Sequence, residues 1–181
     1  MERTMSDAPK KARSFEAIRR EDLERLAQIA VASFEDLFDR REASRVYRGR
    51  LRLLCLCQGA ALHLLKGERG IHDFDVWGFF SQTESGSFPP RWSGKADFGA
   101  SRFGKSPDDE NRQGRKVDVM GRSIEFRLDE TAISAVRRWI VSGGGTSPWF
   151  IRQRPVIVIS PGPDFGTWIW PDIKRWSGAD A

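Results

Sequence analysis

The sequence predicts a mixed α and β domain, and three observations carry that prediction. Apolar residues recur at intervals of three and four over 23–38 and again over 132–140, the spacing of one buried helical face. Short runs at 51–57, 76–80 and 117–119 are almost continuously apolar, as strands covered on both faces are. The two patterns alternate along 181 residues, 39% of them hydrophobic, a length suited to one domain with a sizeable core.

Taken in order, residues 1–14 carry Pro, Lys and Arg without periodicity and are expected to form a flexible tail, leaving 15–181 as a single domain. Leu23, Leu26, Ala27, Ala30, Phe34, Leu37 and Phe38 make the first amphipathic helix. Residues 40–50 are too polar to assign, with Gly49 as a break. A buried strand is expected over 51–57, interrupted only by Arg52, and a short helix over 60–65 stopped at Gly67. The next strand is 72–80. Residues 81–114 are rich in Gly, Ser and Pro without a period, a long loop insertion of the kind that is usually functional or disordered. A strand at 115–120 follows, then a turn at Gly121 and a second strand over 123–128. Ala132, Ile133, Val136, Trp139 and Ile140 form another amphipathic helix, which Gly143, Gly144 and Gly145 stop. Two strands, 156–159 and 166–170, flank Pro161-Gly162-Pro163-Asp164 as a C-terminal hairpin.

Composition excludes some classes. No apolar run approaches the roughly 20 residues that span a bilayer, and the polar N-terminus lacks the apolar centre of a signal peptide. A net charge of +5 favours anionic partners such as nucleotides, RNA or DNA, although modest basicity also serves solubility. Cys55 and Cys57 are most simply buried free thiols in a reducing cytoplasm, because no second Cys/His pair exists to complete a metal clip.

The most informative residues are Asp73 and Asp75. In a strand, side chains at i and i+2 share a face, so both carboxylates point the same way. Asp118 sits between Val117 and Val119 in another short apolar strand. Charges inside buried strands are usually paired or hold a metal. Three such acids suggest divalent cations, which commonly escort phosphates. The plain alternative has Asp73 and Asp75 capping a strand end and Asp118 paired with Arg115 or Lys116.

The segment Gln58-Gly59-Ala60-Ala61-Leu62-His63-Leu64-Leu65, then His72-Asp73-Phe74-Asp75-Val76, with Asp118 in Lys116-Val117-Asp118-Val119-Met120, resembles the nucleotidyltransferase superfamily. That superfamily includes DNA polymerase beta and the minimal bacterial nucleotidyltransferases; the nearest likeness is to the group linked to abortive infection and toxin–antitoxin systems. The resemblance covers residues 51–123. It implies an α+β fold with a nucleotidyltransferase-like mixed sheet packed by helices. It also implies Mg2+ (two ions, or Mn2+) at Asp73, Asp75 and Asp118. The substrate would be a nucleoside triphosphate, and the acceptor a hydroxyl on a protein, an RNA end or a small molecule. Gly59 and Ala60 would present backbone N–H groups at a helix N-terminus to the phosphates. The chain departs from the family's pattern in having Ala60 and Ala61 where Ser or Thr is common, and Gln58 for a frequent first glycine. This departure opens the alternative of a catalytically weakened module that binds RNA or a protein partner.

The insertion contributes Ser101, Arg102 and Lys105, expected to clamp phosphate, with Phe98 or Phe103 free to stack on a base; the plain version is a solvated loop with two anchoring rings. Among the tryptophans, Trp77 and Trp139 are expected to pack and Trp168 and Trp170 to share one strand face. Trp92, Trp149 and Trp176 are candidate surface anchors. His63 is expected to be packed or solvent-facing, and His72 to lie near substrate.

Overall fold

The computed structural model describes residues 12–84, 87–88 and 92–171. Among them, α1 (Arg20–Arg40) leads through a 3-10 helix (Glu42–Tyr47) into β1 (Leu51–Cys57) and α2 (Gln58–Lys66). Then come β2 (Phe74–Ser81), β3 (Ser93–Asp97), β4 (Lys116–Ile124), α3 (Ala132–Ser142), α4 (Thr146–Arg152), β5 (Val156–Val158) and β6 (Trp168–Trp170). The strands form one six-stranded mixed sheet in the order β3-β4-β2-β1-β5-β6. Only β2 and β4 pair in parallel; every other neighbour is antiparallel.

Alternation along the strands divides the core in two. Leu54, Leu56, Phe74, Val76, Phe80, Val117 and Val119 face α1 and α2, where Leu23, Leu26, Ala30, Phe34, Ala60 and Ala61 meet them. Leu53, Cys55, Cys57, Trp77, Phe79 and Ile124 face the other way, toward Ala135, Val136 and Ile140 of α3 and Ile151 of α4. The helices therefore lie on both faces, and the apolar stripe of α1 is the one its spacing predicts. The α1 N-terminus is fixed by the Asp22 carboxylate, which accepts from the Arg19 backbone N–H at 2.6 Å. Gly67 closes α2 in the left-handed region at φ 71, where a glycine carries no Cβ penalty. The hairpin of β5 and β6 is present, and Cys55 and Cys57 are buried free thiols. No described helix is long and apolar enough to cross a membrane.

Several expectations need correction. No turn occurs at Gly121: β4 runs through it to Ile124, and no strand continues to residue 128. Gly121 is small for another reason, since a Cβ there would collide with the ring of Phe88. The insertion contains an edge strand, β3, that its polar sequence Ser-Gly-Lys-Ala-Asp conceals; it forms because β4 offers a free edge. α4 was concealed by three preceding glycines and by Pro148, which a first helical turn accommodates. The expected tail lies outside the described residues over 1–11, but Ser14 is buried and forms a two-way backbone bridge with Ile71, at 2.9 and 2.6 Å.

The tryptophans also divide. Trp139 packs edge-on to Phe79, and Trp92 packs against Phe34 at 5.4 Å, so it is no surface anchor. Trp149 is exposed, and Trp176 lies outside the described residues. Trp168 and Trp170 do not share a face: Trp168 joins the α1 side of the core and Trp170 packs on the opposite side. A register irregularity at Val156/Ile157 interrupts the simple alternation there.

Candidate functional site

The parallel pairing of β2 with β4 positions the acids. Asp75 lies directly across from Asp118 in the register, between the pairs Phe74–Val117 and Val76–Val119. Because the flanking residues all face α1 and α2, the two acids must face the opposite side. Asp73 precedes β2 by one residue, and Lys116 is the first residue of β4. The Lys116 ammonium lies 2.6 Å from the Asp118 carboxylate and 3.9 Å from that of Asp73. His72 approaches the Asp73 carboxylate at 3.4 Å through Nδ1 and that of Asp108 at 3.1 Å through Nε2.

The electrostatics of this group are unbalanced. Burial first, then the charges of Asp73 and Asp118, pushes the Asp75 carboxyl up to about 7, against a smaller opposing pull from Lys116. Burial lowers the Lys116 ammonium, but its hydrogen bond to Asp118 and the surrounding carboxylate charges more than offset this and raise it. One ammonium thus faces three carboxylates. Among the described residues no group of three His, Cys, Asp or Glu side chains is arranged to hold a metal. The donor chemistry nevertheless fits a hard divalent cation, since the carboxylates supply oxygen ligands. The pairing of Asp118 with Lys116 is the one the plain alternative expects.

Beside Asp73, the chain passes from β1 into α2 with no intervening loop. Gln58 makes that turn at φ 59, the one positive φ outside glycine among the described residues. Its side chain is held by an Nε2 hydrogen bond to the Phe150 carbonyl of α4, at 3.2 Å. The N-terminus of α2 carries no side-chain cap and no acid in its first turn, so its N–H groups stay available to an anion. A Cβ built on Gly59 would meet nothing within 4 Å, so packing alone does not demand glycine there. Ala60 is different. The whole residue is buried against the α1 side, so at this turn Gly59 is the residue open to a ligand.

The strain at Gln58 can be measured by comparing two variants that both lose the bond to Phe150. Gln58→Gly should be more stable than Gln58→Ala by about 1 kcal/mol in denaturant titrations, because only alanine retains a Cβ in the left-handed region. Equal stability of the two variants would remove the case for strain.

In the insertion, Arg102 and the two phenylalanines are engaged in packing and pairing of their own. Phe98 and Phe103 are buried core rings packed against Phe74 at 5.1 and 5.4 Å, so neither can stack on a base. Arg102 pairs with Asp22, donates to the Ala17 carbonyl at 2.8 Å and lies over the Phe103 ring, which commits it to the approach to α1. Ser101 Oγ is buried without a hydrogen-bond partner among the described residues, and Lys105 is exposed. The Asp97 carboxylate closes this loop by accepting from the backbone N–H groups of Gly99, Gln113 and Gly114. The plain alternative for the two rings therefore holds.

Basic groups of a different origin line the cleft at Gly59. Arg13, Arg69 and Arg154 surround a space of about 170 Å³ together with Gln58, Gly59, His72 and Asp73. Sequence reasoning missed all three, although Arg69, in the short connection between the two motifs, carried a positional signal. His63 is structural: Nδ1 accepts from the Gly70 N–H at 3.2 Å, so Nε2 carries the proton that Glu16 O receives at 3.1 Å. Neither the family models nor the curated proteins nor the solved structures include a match to this chain.

Proposed function

We propose that the protein is a metal-dependent nucleotidyltransferase that moves a nucleotide from a nucleoside triphosphate to a hydroxyl acceptor, on an RNA, a protein or a small molecule. The observation that carries this reading is the pairing of Asp75 with Asp118 on one sheet face, with Asp73 alongside and the uncapped start of α2 next to it. Asp73, Asp75 and Asp118 would hold Mg2+ or Mn2+ once Lys116 withdraws. When bound, the cation neutralises phosphate charge and acidifies the acceptor hydroxyl. The backbone N–H of Gly59, at the start of α2, would hold phosphate oxygens, while Ala60 would reach them only if the turn opens. Gln58, fixed by α4, keeps that turn in shape. In the reaction the acceptor oxygen bonds to the α-phosphorus, the bond to the β-phosphate oxygen breaks, pyrophosphate leaves, and the hydroxyl proton passes to solvent. The proposed setting is the cytoplasm, which suits the two free thiols, in a defence or toxin–antitoxin role.

A second reading, a catalytically weakened module that binds RNA or a protein partner, is favoured by two specific observations. Lys116 lies against Asp118, and Ala60 offers no hydroxyl. The experiment that separates the readings supplies α-labelled nucleoside triphosphates, Mg2+ and a mixture of RNA and protein acceptors. Label should become covalently attached as pyrophosphate is released, and Asp118→Asn should stop both. Equal release by wild type and variant, or none by either, would leave the binding module as the better account.

A further inference from the structure

Arg13, Arg69 and Arg154 come from three distant stretches of chain: the segment before α1, the connection between α2 and β2, and the residues between α4 and β5. Their convergence has no evident folding purpose. Among the described residues, Arg69 and Arg154 have no ion pair or side-chain hydrogen bond. Arg13 makes one long bond, to the Gly70 carbonyl at 3.4 Å. The three arginines line the cleft together with one acidic residue, Asp73, which already has His72 and Lys116 as neighbours. An anion entering the cleft would therefore meet cationic residues from three parts of the chain.

We infer that this cleft is the seat of a polyphosphate chain and that the segment 12–16 is a strap that completes it by delivering Arg13. The inference deepens the nucleotidyltransferase reading and rests on it for the identity of the polyanion as the outer phosphates of a nucleoside triphosphate. The cleft, of about 170 Å³ and open to solvent, has room for a phosphate tail. Guanidinium forks match phosphate oxygens in pairs. The start of α2 adds backbone donors, and the open space above Gly59 lets the chain of phosphates come close.

The strap is well anchored. Ser14 and Ile71 exchange both backbone hydrogen bonds. Glu16 O accepts from His63, and Ala12 O accepts from Arg115 Nη1 at 2.9 Å. Arg115 is itself buried and bonded to Phe103 O. Arg13 is therefore held at the cleft by contacts on both sides of it, although it lies in a segment whose composition reads as a tail.

The test is calorimetric titration of inorganic tripolyphosphate into the full chain without divalent metal. Wild type should bind it. Arg69→Ala/Arg154→Ala should weaken binding at least tenfold, given that each bond to a charged group is individually strong, and Arg13→Ala should weaken it several-fold. Ser14→Pro, which removes the N–H bonded to Ile71, should reproduce the Arg13→Ala loss. Arg40→Ala, far along α1, should change nothing, and Asp75→Asn should bind at least as tightly as wild type. Wild-type affinity in the double arginine variant, or no binding by wild type, would overturn the seat. Full binding in Ser14→Pro would overturn the strap's part in it. A functioning seat without label transfer would count against the enzyme reading alone, whereas transfer without tripolyphosphate binding would count against the seat alone.

Discussion

Replacing Asp75 by Asn is expected to make the metal-free protein more stable at pH 8 and no more stable at pH 4. Burial and two neighbouring carboxylates raise this group from 3.8 to about 7 in the folded state. A folded-state pKa above the unfolded one means that folding favours the protonated acid. Its contribution is fully present below about pH 4 and is lost as pH rises through 7, with a ceiling of about 4 kcal/mol. Asn has nearly the same shape and no charge, so it removes this penalty at high pH. The cost of keeping a charged Asp75 there makes sense if a cation balances it in the working protein. Mg2+ with a nucleoside triphosphate should therefore raise the wild-type melting temperature, since a ligand bound only by the native state stabilises it. The variant should show none of the Mg2+-dependent part. Thermal melts at pH 4 and pH 8, with and without Mg2+, check both halves. Lower stability of the variant at pH 8 would mean that Asp75 is already compensated and has no need of a metal.

Lys116→Met should have the opposite effect on the metal-free protein. It keeps the apolar stem but removes the ammonium that Asp118 and Asp73 share. The groups are partly exposed, so the loss lies between that of a surface pair and that of a buried one, about 2 kcal/mol. It should fade at alkaline pH, because folding raises the Lys116 ammonium and its contribution is lost as pH climbs through the folded value. The Mg2+-induced rise in melting temperature should be larger in this variant than in wild type, because the ion no longer competes with an ammonium. A smaller rise would show that Lys116 assists cation binding instead of standing in its place.

What the sequence made legible follows from which forces are local. β1 was readable to the residue because its apolar run is bounded by Arg50 and the Gln58-Gly59 turn. α1 was readable from its stripe. That Asp73 and Asp75 share a face follows from strand periodicity, but that Asp118 lies opposite Asp75 depends on a parallel pairing between segments more than forty residues apart. The pattern of acids in apolar strands and the resemblance suggested that the three acids meet, but not this register. β3 is strand because of its neighbour, not its composition. Gly121 and Phe98 misled for one reason: in each case a distant ring or packing surface, absent from the local sequence, decides the outcome. The cleft arginines were hidden in the same way, since the bridge from Ser14 to Ile71 and the pairing of β5 with β1 bring Arg13 and Arg154 to the site.

The central claim is that Asp73, Asp75 and Asp118 form a cation site serving a triphosphate held at the start of α2. Its most direct test is a crystal structure of the protein with Mn2+ and a non-hydrolysable nucleoside triphosphate, read by anomalous scattering. The account predicts a manganese peak between the carboxylates of Asp75 and Asp118, Lys116 turned away from Asp118, and phosphates against Gly59. A nucleotide bound elsewhere, with no manganese at the carboxylates and Lys116 still on Asp118, would contradict it.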